Sequence, residues 1–388
     1  AVVFLAAIVV APHDSHDLWS YAMYGRIVSV HHASPWVTLP AQFRGDPFLT
    51  LVAPGWRHTT SIYGPAFTFL AAAITKVGSD SATAVRMLFT SSFALAAALG
   101  GWIIHRRTRS AAAVALVVLH PAIAIAGLSG GHNDVLVGVS LLGAVVLAQD
   151  DRPVAAGFAA GLATLVKLTG GIGIVALACW GLRHRGPRWS ARFAAGSLGF
   201  VALAYLPFGT TGLSAFVKNR GSLSRASAWQ LPRLLTGLDQ RHTGIRLGLP
   251  NSDTQLLVTV GAGFTLALVG WLAFRMSRAE HPAIGMISAL GGYLFFAPYV
   301  LPWYPAWVIP TIGLVPRVAA ARLLALQAAL LVVVYELKTQ SLATWVASIV
   351  WWGAVVGSVG LAIVLLRTLR RTLAEPAALP TPIESPVG

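Results

Sequence analysis

Long apolar runs separated by short polar breaks dominate the chain. Residues 1–11, 82–104, 111–128, 135–148, 154–168, 170–182, 193–208, 256–274, 282–301, 303–314, 318–335 and 343–366 are each apolar enough to lie in hydrocarbon. Their lengths predict helices, because a helix satisfies its own backbone polar groups where water is absent. Several breaks carry arginine clusters, at residues 105–109, 183–192, 275–278, 317–322 and 367–371. Under the positive-inside tendency these belong on the cytoplasmic side. Counting spans between them leaves three polar regions outside, at residues 12–61, 127–134 and 209–254. Residues 63–77 then have both ends outside, which predicts a re-entrant or interfacial helix. The competing reading has them cross fully and turns the Arg106 cluster outward.

Composition supports a membrane protein. Hydrophobic residues make up 56% of the 388 positions and charged residues 11%, far below the quarter usual in a soluble domain. The length fits roughly ten to thirteen spans. Residues 1–374 read as one multispanning domain, with residues 375–388, rich in Pro and Ala, as a disordered tail. Residues 1–11 read as the outer end of a longer first span. The net charge of +15 sits in the short breaks, which argues for membrane orientation and against a nucleic-acid partner. The single Cys179 excludes an internal disulfide.

With 13 acidic residues in the chain, carboxylates beside spans stand out, since ionisable groups near hydrocarbon are costly and usually functional. Asp14 and Asp17 follow the first apolar run; a helix cap by Asp14 or Ser15 is the plain alternative to a catalytic role. Trp19, Tyr21 and Tyr24 suit a helix lying at the headgroups. His132, Asn133 and Asp134 close a glycine-rich hinge after His120-Pro121, where Asp134 can also cap the next helix. Lys167, at the outer end of a span, suits either snorkelling to the headgroups or a phosphate in a cavity. Lys218, Arg220, Arg225 and Arg233 form a basic outer loop for headgroups or a substrate phosphate. Tyr63 precedes a Gly-Pro turn. Trp303 and Tyr304 stand in a proline-dense break, as an interfacial belt or a sugar platform. His13, Asp14, His16 and Asp17 also offer donors to a divalent metal, at a spacing that matches no strong site.

Four motifs occur in order: Asp-Leu-Trp-Ser-Tyr-Ala-Met-Tyr-Gly-Arg from Asp17, Ser-Ile-Tyr-Gly-Pro-Ala-Phe from Ser61, Gly-Gly-His-Asn-Asp-Val-Leu from Gly130, and Leu-Pro-Trp-Tyr from Leu301. Together they resemble the actinobacterial polyprenol-phosphate-mannose-dependent α-(1→6) mannopyranosyltransferases of the C-type glycosyltransferase superfamily. The resemblance implies a bundle of roughly 11–13 transmembrane helices in the plasma membrane, with an outer-face loop bearing interfacial or re-entrant helices. It also implies a lipid-linked donor, a mannan or lipoglycan acceptor and an active site on the outer face. The superfamily's key aspartate maps to Asp17, with Asp14 as a partner. On this reading Asp17 is a general base in an inverting transfer. Lys167, Arg220, Arg225 and Arg233 hold the donor phosphate. His132, Asn133, Asp134, Tyr63, Trp303 and Tyr304 hold sugar or acceptor. A transferase for another polyprenyl-phosphate sugar, or a lipid-linked sugar flippase, remains the alternative. The flippase is disfavoured because the candidate residues gather on one face instead of marking a path through the membrane.

Overall fold

The computed structural model describes residues 2–12, 15–209, 211–212, 223–224, 227–235 and 252–339, with scattered positions between 349 and 368. These residues form an all-α, polytopic membrane protein. Ala82–Thr108, Pro187–Phe208 and Gln255–Met276 are each long and apolar enough to cross a membrane. Exposed Leu95, Trp102, Leu198, Leu203, Leu266 and Phe274 add an apolar outer surface of the kind a soluble protein avoids.

Most of the helices that position the site come from the first half of the chain. They are α1 (Val2–Val9), α2 (Asp17–Ser29), the single turn α3 (Pro54–Arg57), α4 (Pro65–Gly78), α5 (Ala82–Thr108) and α6 (Ala111–Val118). Next come α7 (Asp134–Gln149), α8 (Pro153–Val166), α9 (Gly171–His184) and α10 (Pro187–Tyr205). Later in the chain lie α11 (Gln230–Leu235), α12 (Ser252–Met276), α13 (Pro282–Phe296), the turn α14 (Ile309–Ile312) and α15 (Ala319–Thr339).

Two ends of the molecule are well defined. At one end Arg107, in the last turn of α5, pairs with Asp150 just after α7, and Arg185 approaches Asp151 at 3.8 Å. His184 Nε2 bonds the Ser277 carbonyl at 2.7 Å, and Gln149 meets His281 at 2.9 Å. Three of the arginine clusters therefore share one end, as expected of one membrane side. At the other end, a 16-residue α7 away (about 24 Å), lie Asp134 and the candidate site.

That frame places α4. Its first residues bond α8, through the Gly64 amide and the Val166 carbonyl. Its last residue packs on Val85 at the start of α5. Because α5 runs from there to the Arg107 end, both ends of α4 lie on the site side, in line with a re-entrant or interfacial helix. The end of α1 is fixed on the same side by Arg86, whose guanidinium takes the carbonyls of Ile8, Val9 and Val10 at 2.9 to 3.0 Å, satisfying a helix end that has no further turn to bond.

Two expectations need correction. The aromatic residues of α2 do not face lipid headgroups: Tyr21 and Tyr24 are fully buried, because α4 and the first loop fold over the helix. Trp36 Nε1 donates to the Tyr63 carbonyl and the Tyr24 hydroxyl to the Thr59 carbonyl, tying that loop down. Residues 303–314 make no span; they form a buried 3-10 turn, Tyr304–Trp307, and then α14, since closely spaced prolines remove the ladder donors a helix needs. The bend expected of Pro121 is present: residues 111–128 are two helical pieces, α6 and a segment Ala122–Ser129, set at 42° to each other.

Candidate active site

The site forms where four polypeptide segments meet. The first is the start of α2, which presents Asp17. Its N-cap, His16, makes no side-chain cap bond; the Asp17 amide donates to Ser15 Oγ at 3.1 Å, and the Ser15 hydroxyl also bonds the Asp17 carboxylate. The second is the hinge before α7, with His132, Asn133 and Asp134, all buried. The third is the end of α8, where the helix breaks at Lys167. The fourth is the break after α13, with Trp303, Tyr304 and Trp307.

Two glycines allow the approach. A Cβ at Gly64 would stand 2.2 Å from the Leu165 carbonyl oxygen, so the chain beside Tyr63 passes next to Lys167 only without a side chain there. A Cβ at Gly138 would stand 1.9 Å from the Ala306 carbonyl oxygen, so α7 packs directly against the 304–307 turn.

The centre is a buried ion pair. Lys167 Nζ lies 2.8 Å from Asp134 Oδ1, and the same oxygen accepts the Trp307 indole N–H. The ammonium also sits over the rings of Tyr304 and Trp307, at 4.4 and 5.4 Å from their centroids, as cations favour an aromatic face. Tyr304 and Trp307 are themselves stacked at 4.5 Å. Lys167 therefore does not snorkel; its charge is balanced inside the protein. One face of Tyr304 is covered by Trp307.

Beside this pair lies Asp17, whose side chain keeps 17% exposure. Burial lifts its carboxyl to about 6; Lys167 opposes the shift and Asp134 adds to it. His132 packs its ring on Trp303, centroids 3.6 Å apart, and brings Nε2 to 4.0 Å from Asp17 Oδ2. Tyr63 and Tyr21 meet edge to face at 5.0 Å and close the cluster from the α4 side. Four buried polar atoms on three consecutive residues lack a hydrogen-bond partner among the described residues: His132 Nε2, both amide atoms of Asn133, and Asp134 Oδ2. Each such group costs about 1–3 kcal/mol unless something satisfies it, a cost accepted more readily at a functional site than in a plain core.

The structure thus brings together Asp17, Tyr63, His132, Asn133, Asp134, Lys167, Trp303 and Tyr304. Asp14, Lys218, Arg220 and Arg225 lie outside the described residues, as does the Arg233 side chain. Among the described residues no group of three or more His, Cys, Asp or Glu side chains is set to hold a metal ion. Trp307 and Tyr21 were not singled out from sequence as site residues. Trp307 stands two residues beyond a marked proline in the same break, which is the signal that pointed to it.

Residues 4–183, which carry every one of these site residues except those in the 303–307 break, match the alpha-(1→6)-mannopyranosyltransferase N-terminal domain. Over that stretch, a little under half of its length, the chain is similar to this family. Alpha-(1→6)-mannopyranosyltransferase A of Mycobacterium tuberculosis is 27% identical over an alignment covering 79% of this chain and 62% of the relative. Alpha-(1→6)-mannopyranosyltransferase B of Corynebacterium glutamicum is 28% identical, covering 77% of this chain and 55% of its own length. The chain thus spans a little over half the length of these mannopyranosyltransferases. The matched regions extend past residue 183 in both, as the 303–307 contacts to Asp134 and Lys167 also require of the fold.

Proposed function

We propose that this chain is part of a membrane mannosyltransferase. It moves a mannosyl residue from a polyprenyl-phosphate donor to a glycan or lipoglycan acceptor, with inversion, at the extracytoplasmic face of the plasma membrane. The observation that carries the reading is Asp17, a partly exposed carboxyl at the edge of a buried charged cluster, 4.0 Å from a histidine, within the stretch shared with the mannopyranosyltransferases. Polyprenyl phosphate is a good leaving group, so the reaction needs a base on the acceptor and cations near the phosphate more than it needs an acid. One carboxylate with a pKa of about 6 suits that role, since it is ionised at neutral pH and still basic enough to take a proton as the acceptor oxygen attacks.

The chemistry follows from these positions. The acceptor hydroxyl gives its proton to Asp17 while its oxygen bonds the anomeric carbon, and the anomeric C–O bond to phosphate breaks with its electrons leaving on the phosphate. Lys167 places positive charge beside the reaction centre, and Arg220, Arg225 and Arg233 add cations from the second outer loop. Three residues of that loop are anchored on the site side: Ser224 and Ser227 bond the 297–300 backbone, and the Trp229 indole donates to the Phe296 carbonyl. His132, Asn133 and Asp134 form the layer beneath.

The test is transfer of radiolabelled mannose from polyprenyl-phosphate-mannose to a short α-mannoside, with wild-type protein and Asp17→Asn side by side. The variant is expected to lose transfer at least a hundredfold while eluting and melting as a folded protein. Equal rates would remove Asp17 from the chemistry. Transfer of another lipid-linked sugar in preference would keep the mechanism and change the donor.

A further inference from the structure

The tautomer of His132 is set by its own backbone. Its Nδ1 lies 3.3 Å from the Gly130 carbonyl oxygen. A carbonyl can only accept, so Nδ1 carries the proton and Nε2 is left as a bare lone pair. The other tautomer would set two lone pairs against each other across the 3.3 Å to the Gly130 oxygen. Nε2 is buried and has no hydrogen-bond partner among the described residues. Burial, helped by Lys167, holds the ring neutral by pushing its pKa well below the usual value.

Ionised Asp17 and neutral His132 therefore present two acceptors to each other with no proton between them. The pair becomes favourable when Asp17 gains a proton, since its O–H can donate to Nε2 after a closure of about 1 Å. The other groups facing Asp17 act differently. Lys167 favours the ionised form but is engaged by Asp134, and Asp134 and Asp17 repel each other when both are charged. His16 flanks Asp17 on its own segment. Tyr21 and Tyr24 of α2, Tyr63 ahead of α4, and Tyr299 and Tyr304 after α13 complete its surroundings.

We propose that His132 is a positioning residue for Asp17: its Nε2 receives, as a hydrogen bond from protonated Asp17, the proton that Asp17 has taken from the acceptor hydroxyl. The inference rests on the transferase reading above and deepens it. The proton passes from the acceptor oxygen to Asp17 Oδ2 and stays on that oxygen, shared toward Nε2, while the glycosidic bond forms and the phosphate leaves. Asp17 releases it to solvent once the product departs. His132 does not touch the reacting atoms. It lowers the free energy of the protonated base at the step where the base is needed.

Two measurements on the purified chain test this. The first is an infrared titration of the carboxylic C=O band in detergent, without any donor, with Asp17→Asn identifying the Asp17 signal. In His132→Gln the side-chain amide can donate to the ionised carboxylate, and the midpoint is expected to fall by about one pH unit. In His132→Leu, which removes the lone pair and adds no donor, it should also fall, by less. The second is the pH profile of mannosyl transfer. Its acidic limb, near pH 6 in the wild type, should move down in His132→Gln together with about a tenfold loss of kcat. A midpoint unchanged in both variants overturns the proposal. If the infrared shift is found and no mannose is transferred even by the wild type, the pairing stands and the transferase reading fails.

Discussion

At the residue scale, Asp17 is held in the protein against its own preference. Its carboxyl titrates near 6 in place of the usual 3.8, chiefly because burial penalises the charge. A group whose folded pKa is raised binds its proton more tightly when folded. The fold therefore loses stability as pH rises from about 4 to about 6, and stays lower by about 3 kcal/mol above that window. Asp17→Asn removes the charge and keeps the shape. We expect the variant to melt several degrees higher than the wild type at pH 8 and to show no such gain at pH 4, measured as thermal midpoints in the same detergent. A gain of equal size at both pH values would mean that packing, and not charge, explains it. A residue that stabilises the protein when neutralised and abolishes transfer when replaced fits a site where function is kept at a cost in stability. This position was legible in the sequence, because an aspartate beside an apolar run needs a reason. The reversal of α2 from surface to core was not. The spacing of Trp19, Tyr21 and Tyr24 is the same for a helix at the headgroups and for one covered by a loop, and nothing local in the sequence announces that α4 and residues 35–61 return over it.

At the scale of elements, the joint between α7, α8 and the 304–307 turn is held by one oxygen, Asp134 Oδ1, shared by the Lys167 ammonium and the Trp307 indole. Asp134 is fully buried and Lys167 nearly so. A buried pair adds little net stability, since desolvation offsets the attraction, but removing one partner leaves a charge with no compensation. Lys167→Met and Asp134→Leu are each expected to cost about 3–5 kcal/mol. The double variant should cost less than the sum, with a coupling of at least about 1 kcal/mol by double-mutant cycle in urea or thermal unfolding. Additive losses would show that the pair is not a unit. The sequence announced both residues separately, as a hinge aspartate and a lysine at a span's end, and left open whether the lysine snorkelled. What decides the matter is a contact across 33 residues, brought about by Gly138 and Gly64 letting backbones touch. Trp307 was hidden for the same reason: its role depends on which oxygen its indole meets, and that is set by tertiary contact alone.

For the whole molecule, the arrangement of charge gives a direction. Residues around Arg107, Asp150, Arg185 and Ser277 gather at one end, while Asp17, Asp134, Lys167 and the first loop sit at the other, a helix length of about 24 Å away. Arginine-rich ends favour the cytoplasm, so the site should open to the cell exterior, where a lipid-linked sugar already flipped across the bilayer would meet its acceptor. The positions of most apolar runs were readable from sequence, and three of the arginine clusters share one end of the molecule. Orientation itself can be tested directly. Cys179 is the one cysteine in the chain, so a Cys179→Ala background gives a clean start. Gly45 in the first loop is exposed, and a side chain there meets nothing within 4 Å. Arg188, at the start of α10, is exposed near the other end. In intact cells a membrane-impermeant maleimide should label Gly45→Cys, while Arg188→Cys should react only after permeabilisation. Labelling in the opposite order would put the Asp17 cluster on the cytoplasmic side, where nucleotide-linked sugars are available and a polyprenyl donor is no longer required by location. The same pair of variants also reports on α4. If Lys76→Cys, near its end, labels from outside together with Gly45→Cys, the helix enters and leaves on one face. If it labels only after permeabilisation, α4 crosses, and the side assigned to every later helix reverses with it.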